Sequence, residues 1–256
     1  MNVLWVFAHP EPRSLGGALR DDGLAALRAL GHSVIESDLY AMGWNPVVGA
    51  GDFGGSDACL SVADRSARAY ADGELSPDIV AEQEKLTWAD AVVLQFPLWW
   101  YGMPAILKGW FDRVFVKGFG YGVHAADGRT LRYGEGNLAG KRAMVVLTAG
   151  AREPSLGPRG VNGPLDDLLF GLHHGTLFYA GMSVLPPLAV YGADRVSPAH
   201  FAAASALLRK RLRGLETTPP LPFRTQNGGA YDADLVLHPS EAPGATGLAI
   251  HLCRSS

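Results

Sequence analysis

Apolar and polar positions along this chain are arranged in blocks that favour an α/β fold. Five short segments are largely apolar, as is typical of strands in a parallel sheet covered on both faces. These segments are residues 3–9, 34–40, 91–97, 142–150 and 184–192. Between them, apolar residues recur at helical spacing. The pattern predicts right-handed crossovers and a doubly wound, five-stranded parallel sheet with helices on both faces.

Capping residues indicate where several helices begin and end. Ser14 is a suitable N-cap for the first helix, and Gly31 is a usual residue just beyond a helix end. A helix with one apolar stripe is expected to have Pro104 at its first position. A further helical stretch lies within residues 164–180, and Ser197 predicts the start of the last helix.

Two regions depart from this alternation. Residues 43–70 are rich in Gly, Asp and Ser, and we interpret them as an irregular excursion before a helix at residues 75–86. From about residue 216 the chain is rich in Pro and Gly, with only short apolar pieces. We therefore expect one domain over residues 1–215 and, over residues 216–256, an irregular extension that packs on the domain or on a partner subunit.

The composition is that of a globular protein and argues against several functional classes. Apolar residues make up 48% of the chain and charged residues 18%, so the signature of disorder is absent. A net charge of -3 gives no general attraction for nucleic acid or an anionic membrane. The N-terminal apolar run is unlike a signal peptide, and no run approaches the roughly 20 residues of a membrane span. We expect a cytoplasmic protein without stable membrane insertion or a nucleic-acid partner.

The two cysteines, Cys59 and Cys253, are far apart and lack the spacing of metal ligands. They indicate neither a disulfide framework nor a zinc site, and we interpret both as incidental.

Candidate chemistry lies in the loops at one edge of the predicted sheet, because open α/β sheets bind ligands beyond the carboxyl ends of their strands. The three loops are residues 8–17, 97–104 and 148–164. The first places His9 and Ser14 at the start of a helix, where free backbone N–H groups and the helix dipole bind phosphate. The alternative is that Ser14 serves only as a cap and His9 only packs at the strand end.

The second loop contains three adjacent aromatic residues, Trp99, Trp100 and Tyr101. They follow the end of a buried strand, so packing within the strand does not explain them, whereas a planar ligand would. The alternative is that one packs on the next helix and another lies in a subunit interface, where aromatics are enriched. The third loop begins with small residues that let a backbone approach a ring edge, unless it is a solvated turn. Its small residues are Thr148, Ala149, Gly150 and Ala151.

A known family shares several motifs of this chain. They are AHPEPRS near the start, SDLYAMGWNPVV (37–48), LSPDIVAEQEKL (75–86) and FPLWWYGMPAILKGWFDRVF (96–115). With these motifs the chain resembles the NAD(P)H:quinone oxidoreductases of the DT-diaphorase type. The resemblance implies a flavodoxin-like fold and a homodimer with flavin at its interface. It also implies bound FAD, with FMN less favoured, and two-electron reduction of small-molecule quinones by NAD(P)H in a ping-pong exchange through flavin N5.

The resemblance also implies roles for individual residues. The residues expected to hold the cofactor are His9, Ser14, Leu15, Gly16, Pro97, Leu98, Trp99, Trp100, Tyr101, Thr148, Ala149, Gly150 and Ala151. Those expected around the quinone are Tyr121, Val123, Phe178 and Tyr179, with Phe178 or Tyr179 coming from a partner subunit.

The chain departs from the family pattern at two positions. The family has a Tyr and a His that stabilise and protonate the reduced flavin, and these positions fall on Leu156 and Asn162, neither of which is an acid. Asn162 retains a hydrogen-bond donor, and Arg152 or Arg159 can offset negative charge. Three alternatives stay open: a dedicated azo, nitro or quinone reductase of a biosynthetic pathway, a flavin-binding regulatory subunit of a potassium efflux system, and a flavin protein without turnover.

Overall fold

The strands and helices follow one another largely as the sequence predicts. The computed structural model describes residues 1–54 and 60–253. Its strands are β1 (Asn2–Phe7), β2 (Ser33–Asp38), β3 (Ala91–Pro97), β4 (Val123–His124), β5 (Thr130–Leu131), β6 (Arg142–Ala149), β7 (Ser183–Val184) and β8 (Leu188–Tyr191). Its helices are α1 (Leu15–Ala29), α2 (Val62–Asp72), α3 (Pro77–Trp88), α4 (Ala105–Val114), α5 (Leu165–Leu172) and α6 (Pro198–Arg213). Cys59 lies outside the described residues, and Cys253 is exposed and free.

The main sheet is parallel and doubly wound. Its order is β2-β1-β3-β6, and both β7 and β8 pair with β6. The strand order reverses between β1 and β3, so the chain leaves these two neighbours in opposite directions. Their carboxyl ends form the place where a ligand crevice is expected in such a sheet.

The two faces of the sheet carry separate apolar cores, because side chains alternate along a strand. On β1, Leu4 and Val6 face one core, whereas Trp5 and Phe7 face the other. Residues of α3, α4 and α5 complete the first core, and residues of α1 and α6 complete the second. The prediction of helices on both faces is confirmed.

The fifth predicted strand, residues 184–192, is split into two pieces. Pro186 and Pro187 lie between β7 and β8. Proline has no N–H to donate to a ladder, so the pairing with β6 is interrupted there. The last bond before the prolines is donated by Leu185 N to Ala143 O at 2.8 Å, and pairing resumes at Leu188. The sheet therefore has six strand segments in place of five.

The structure differs from the expectations drawn from the sequence at three places. The excursion over residues 43–70 is not wholly irregular, because α2 begins within it and ends at Gly73, which has a left-handed φ of 72°. Pro104 was expected at the first helical position, but it is the N-cap of α4, which begins one residue later, at Ala105. The short antiparallel hairpin of β4 and β5 was not anticipated. Two-residue strands offer too little periodicity to be recognised in a sequence.

Helix α4 fastens the excursion to the domain. A Cβ at Gly109 would lie 2.1 Å from Pro46 O, so only glycine permits this close approach. Buried Arg113 pairs with Asp52 at 2.7 Å, and the Trp110 indole donates to the buried Glu82 carboxylate at 2.8 Å. These contacts hold the helix that follows the aromatic loop in a fixed position.

The extension, residues 216–253 as described here, folds back on the domain. Leu221 N donates to Val184 O at 2.7 Å, and the two ends of the extension pair through Phe223 and Leu252. The Phe223 ring lies 5.2 Å from that of Phe178. In the described ranges, no helix is both long and apolar enough to cross a membrane.

Candidate functional site

Three loops converge at the carboxyl ends of β1, β3 and β6. The His9 ring lies 6.1 Å from the Trp99 ring, which joins the first loop to the second. The Tyr101 hydroxyl donates to Asn162 Oδ1 at 3.0 Å, which joins the second loop to the third. Leu98 N donates to Thr148 O at 2.8 Å at the base of the crevice. The sequence prediction that these loops meet is therefore consistent with the geometry.

The aromatic loop is a tight turn closed by a pair of hydrogen bonds. Trp99 and Gly102 exchange two backbone bonds, each of 3.0 Å. Trp100 and Tyr101, at the corners, have φ values of 48° and 61°. This left-handed region normally favours glycine, so bulky residues there carry backbone strain of about 1–3 kcal/mol each. Strain of this kind clusters at ligand sites and is a reason to assign this turn a function.

The three aromatic side chains are not part of the core. Trp100 is 98% exposed, and Tyr101 and Trp99 are 50% and 44% exposed. Val161, which precedes Asn162 in the third loop, is exposed as well. Three adjacent exposed aromatic residues of this kind mark a surface that binds a ligand or another protein.

The first loop presents unpaired backbone donors at the start of α1. Ser14 Oγ accepts from Gly17 N at 3.1 Å, so Ser14 is a true cap. Within the described residues, the N–H groups of Leu15 and Gly16 have no protein acceptor. A side chain at Gly16 would begin 3.8 Å from the His9 ring and would fill the space between that ring and the helix start. These features suit a phosphate.

The charged groups of the first loop largely compensate one another. Arg13 Nε lies 2.9 Å from Glu11 Oε1. Hydrogen bonds from Arg13 lower the pKa of Glu11 to about 2, so this carboxylate is ionised at neutral pH. Burial lowers the pKa of His9, although Glu11 opposes the shift, and His9 Nδ1 accepts from Glu11 N at 3.0 Å. A neutral His9 ring therefore lies beside the helix start.

The third loop offers a bare stretch of backbone. Thr148 and Ala149 are the last two residues of β6 and are buried, whereas Gly150 is exposed and Ala151 is half-buried. Among the residues that the structure describes, the N–H groups of Gly150 and Ala151 have no acceptor. Small side chains leave these donors accessible to a planar ligand.

Asn162 and Leu156 occupy very different environments. Asn162 accepts from Tyr101 and donates from Nδ2 to Ser155 Oγ at 3.1 Å. Leu156 is only 3% exposed and is packed in the core, so its side chain does not border the crevice. Arg152 is exposed, and in the described part of the chain its side chain makes no ion pair or hydrogen bond.

The residues expected around the quinone do not all lie in the crevice of one chain. Tyr121 lines a cavity of 570 Å³. Met103, which directly follows the aromatic turn, lines the same cavity. Val123 pairs with Leu131 in the hairpin of β4 and β5. Phe178 is buried under the extension, while the Tyr179 ring contacts that of Tyr133 at 5.0 Å. Phe178 and Tyr179 are thus grouped with the extension and not with the three loops.

Sequence reasoning missed three residues that shape the crevice. Buried Gln95 accepts from the Trp5 indole at 2.9 Å and donates to Gly16 O at 2.7 Å, which fixes the start of α1 against the sheet. A Cβ at Gly17 would lie 1.8 Å from Pro12 O, and Gly102 closes the aromatic turn. A polar residue in an otherwise apolar strand was the available signal for Gln95.

Comparisons with known proteins agree with this geometry. A family model described as a flavodoxin-like fold matches residues 1–213. The chain is 46% identical over 257 residues to a ribosyldihydronicotinamide dehydrogenase-like protein of Penicillium crustosum, covering 98% of this chain and 95% of that one. It is 38% identical to NAD(P)H dehydrogenase [quinone] 1 of Rattus norvegicus, covering 86% and 80% of the two chains.

A crystal structure of a candidate quinone reductase from Klebsiella pneumoniae is also similar. Its TM-score is 0.95 at 51% sequence identity, and the match covers 98% of this chain and 99% of that chain. The similarity therefore includes the extension as well as the sheet and its helices.

Proposed function

The chain belongs to the flavodoxin-like family of NAD(P)H:quinone oxidoreductases, and we propose that it reduces quinones by two electrons with bound FAD. The strained and exposed turn of Trp99, Trp100, Tyr101 and Gly102 is the observation that carries the proposal. It presents aromatic surface at the switch point of the sheet, beside backbone donors for a phosphate. These loops would hold FAD, which when bound would supply hydride chemistry at flavin N5 for a ping-pong exchange between NAD(P)H and a quinone.

The start of α1 would bind the phosphates of the cofactor. The free N–H groups of Leu15 and Gly16 point away from the first turn of the helix, and the helix dipole favours an anion there. Because His9 is held neutral beside these donors, it contributes a hydrogen-bonding ring and not a full charge. Phosphate affinity then rests mainly on the backbone.

The second and third loops would hold the ring system. Trp99, Trp100 and Tyr101, with Pro97 and Leu98 behind them, form an aromatic wall of fixed shape, because the turn is closed at both ends. The unpaired N–H groups of Gly150 and Ala151 would bond the polar edge of the ring. Fixing a ring against one wall orients it for a second planar molecule on the opposite side.

Asn162 would act mainly as a positioning residue. Its amide oxygen holds the Tyr101 hydroxyl, and one of its amide hydrogens is committed to Ser155. The second amide hydrogen remains available to stabilise negative charge on the reduced ring, although an amide cannot supply a proton at neutral pH. Leu156 has no polar atom and is buried, so it would neither stabilise this charge nor supply a proton.

The proposal includes a homodimer in which the quinone site is completed by a partner. The exposed side chains of Trp100 and Val161 would be covered, and Tyr121, Val123, Phe178 or Tyr179 would face the other subunit's crevice. A cytoplasmic location is part of the same proposal.

Released cofactor, holoenzyme mass and steady-state kinetics test these points together. We expect FAD at one equivalent per chain, a mass twice the 27.2 kDa of the chain, and parallel double-reciprocal plots when NAD(P)H and a benzoquinone are varied. Intersecting plots would contradict the ping-pong order, and release of FMN would contradict the cofactor assignment.

A further inference from the structure

A buried glutamine joins the central strand β3 to the loop that precedes α1. Gln95 is the polar residue of a strand made otherwise of apolar residues, and its exposed fraction is 1%. Burying a side-chain amide costs folding free energy unless its groups are hydrogen-bonded. The partners of this amide therefore show what it does in the fold.

Gln95 holds both ends of the first loop. Its backbone oxygen accepts from Ala8 N at 3.0 Å, where the chain leaves β1. Its side-chain Nε2 donates to Gly16 O at 2.7 Å, where the chain enters α1. His9 and Ser14 lie between these two points. One residue thus sets the separation between the two ends of the loop that is proposed to bind phosphate.

The other partner of Gln95 fixes the orientation of its amide. An indole can only donate a hydrogen bond, and the Trp5 indole donates to Gln95 Oε1 at 2.9 Å. The amide oxygen is committed to this bond, so the amide nitrogen faces Gly16 O. A rotated amide would place donor against donor at the indole and acceptor against acceptor at Gly16. The side chain therefore has one favourable arrangement.

The bond to Gly16 is directional, in contrast to the other contacts of α1 with the sheet. A Cβ at Gly23 would lie 2.4 Å from the Trp5 ring, so the helix backbone rests directly on the indole. The buried leucines of α1 add apolar contact, which stabilises the helix without fixing its direction. Because a helix rises by about 1.5 Å per residue, a small slide would displace the free N–H groups of Leu15 and Gly16. The Gln95 side chain opposes this slide.

The same strand leads from Gln95 to the aromatic turn. Trp99 follows in the chain, and Phe96 and Pro97 between them are paired with β6. An extended and paired strand changes little in length, so the separation between Gly16 and the turn is fixed. A ligand whose ring and phosphates are joined by a short chain binds through both parts only if the separation of their sites matches that chain.

We propose that Gln95 is a positioning residue for the phosphate half of the cofactor. It would hold the start of α1 at the separation from the aromatic turn that lets FAD bind through its ring and its phosphates together. The inference rests on the proposed function, because it takes FAD as the ligand of the three loops. Since Gln95 is buried, it would act through Gly16 and not by touching the cofactor.

A comparison of two flavins tests the inference, with the full chain freed of its cofactor. Riboflavin has the ring without phosphates, whereas FAD has both. Gln95→Met keeps the approximate length of the side chain and removes its hydrogen bonds, so the Kd for FAD should rise about tenfold. The Kd for riboflavin should stay that of the parent.

Gln83→Met is the matched control. Gln83 is also buried, and its Nε2 donates to Val114 O at 2.9 Å. It lies on α3, which packs on the opposite face of the sheet from α1. This variant should change neither Kd. Circular dichroism of every variant compares its folded structure with that of the parent.

Gln95→Glu adds a readout that a loss of packing would not move. A neutral carboxyl can accept from Trp5 and donate to Gly16 O as the amide does, whereas a carboxylate would repel that oxygen. Because burial raises the pKa of a carboxyl, this variant should bind FAD nearly as the parent does at about pH 5, and progressively less well toward about pH 8. Dividing each Kd by that of the parent at the same pH removes the contribution of His9. The ratio for riboflavin should not depend on pH.

The possible outcomes distinguish the inference from the proposed function. Equal losses for FAD and riboflavin in Gln95→Met would overturn the inference alone, and so would FAD binding by Gln95→Glu that is independent of pH. If Gln95→Met does not fold, the pH series of Gln95→Glu decides. A parent chain that binds neither flavin would overturn the proposed function and the inference with it.

Discussion

At the scale of single residues, the aromatic turn combines two costs that a folded protein ordinarily avoids. Trp100 is almost fully exposed, and its backbone lies in a region that bulky residues rarely adopt. Neither feature contributes to the stability of the isolated chain. Both are accounted for if the turn is shaped to hold a planar cofactor.

Replacing Trp100 separates these two costs. Trp100→Gly relieves the left-handed strain, so we expect the cofactor-free protein to be as stable as the parent or more stable by up to about 1 kcal/mol. Trp100→Ala retains the strain and should give no such gain. Both variants lose the ring and should bind flavin about tenfold more weakly. Thermal melts of the apoprotein measure stability, and flavin titrations measure affinity. Equal melting temperatures for Trp100→Gly and Trp100→Ala would contradict the claim that the backbone at this position is strained.

Asn162 offers a test of how charge on the reduced ring is stabilised. In Asn162→His, an imidazole with an ordinary pKa near 6.5 would become cationic as the pH falls. We therefore expect the rate of flavin reduction by NAD(P)H to rise below about pH 6.5 in this variant, but not in the neutral control Asn162→Gln. Stopped-flow measurements across pH give the answer. An unchanged pH profile in Asn162→His would show that this side chain does not act on the ring.

At the scale of elements, the motif that begins at Phe96 divides into two functional halves. Its first half forms the strained turn of the crevice. Its second half is structural, because Gly109 allows the approach of Pro46, Trp110 bonds Glu82, and Arg113 pairs with Asp52. The motif therefore joins the proposed ligand site to the helix that keeps it in place.

Gly109→Ala tests the structural half. The added Cβ would meet Pro46 O at 2.1 Å, and relief requires movement of backbone, so we expect a loss of about 1–3 kcal/mol in the free energy of unfolding. Gly171→Ala is a matched control inside α5, because nothing lies within 4 Å of its Cβ position. It should be neutral or stabilising, since alanine favours helix by about 1 kcal/mol. Urea melts of both variants measure the free energy of unfolding. Similar losses in Gly109→Ala and Gly171→Ala would contradict the structural role assigned to Gly109.

The main elements could be predicted because local signals agree with the packing. The cap at Ser14 and the stop at Gly31 define α1, and the cap at Ser197 defines α6. The split at Pro186 was also visible in principle. What could not be predicted is the turn at Trp100 and Tyr101, since their left-handed conformation opposes their own propensity and is imposed by the surrounding structure.

The contact between Tyr101 and Asn162 was equally hidden. The two residues are 61 positions apart, and no local pattern reports which loop side chains meet across a sheet edge. Sequence reasoning proposed both residues for the site, but the hydrogen bond that makes Asn162 a support for the aromatic turn depends on the tertiary fold.

At the scale of the whole molecule, the extension closes over buried histidines whose titration should make the protein acid-sensitive. Burial lowers the pKa of His173 from 6.5 to about 4 in the folded state. The unfolded chain therefore binds the proton first, and the stability that is present above pH 6.5 is lost as the pH falls toward 4. This group alone accounts for a loss of about 3 kcal/mol over that window.

Denaturant melts at several pH values measure this effect. His173→Gln should flatten the dependence between pH 6.5 and 4, whereas His124→Gln, which changes an exposed histidine, should leave it as in the parent. If the parent and His173→Gln showed the same slope, the proton linkage would lie elsewhere in the molecule.

The most direct test of the account as a whole is to separate the two half-reactions in the absence of oxygen. The purified flavoprotein is mixed with NADH or NADPH, its visible absorbance is followed, and a benzoquinone is then added. We predict that at least one nucleotide bleaches the flavin without quinone present, and that the quinone restores the colour. A bound flavin that keeps its colour with both nucleotides would contradict a quinone reductase.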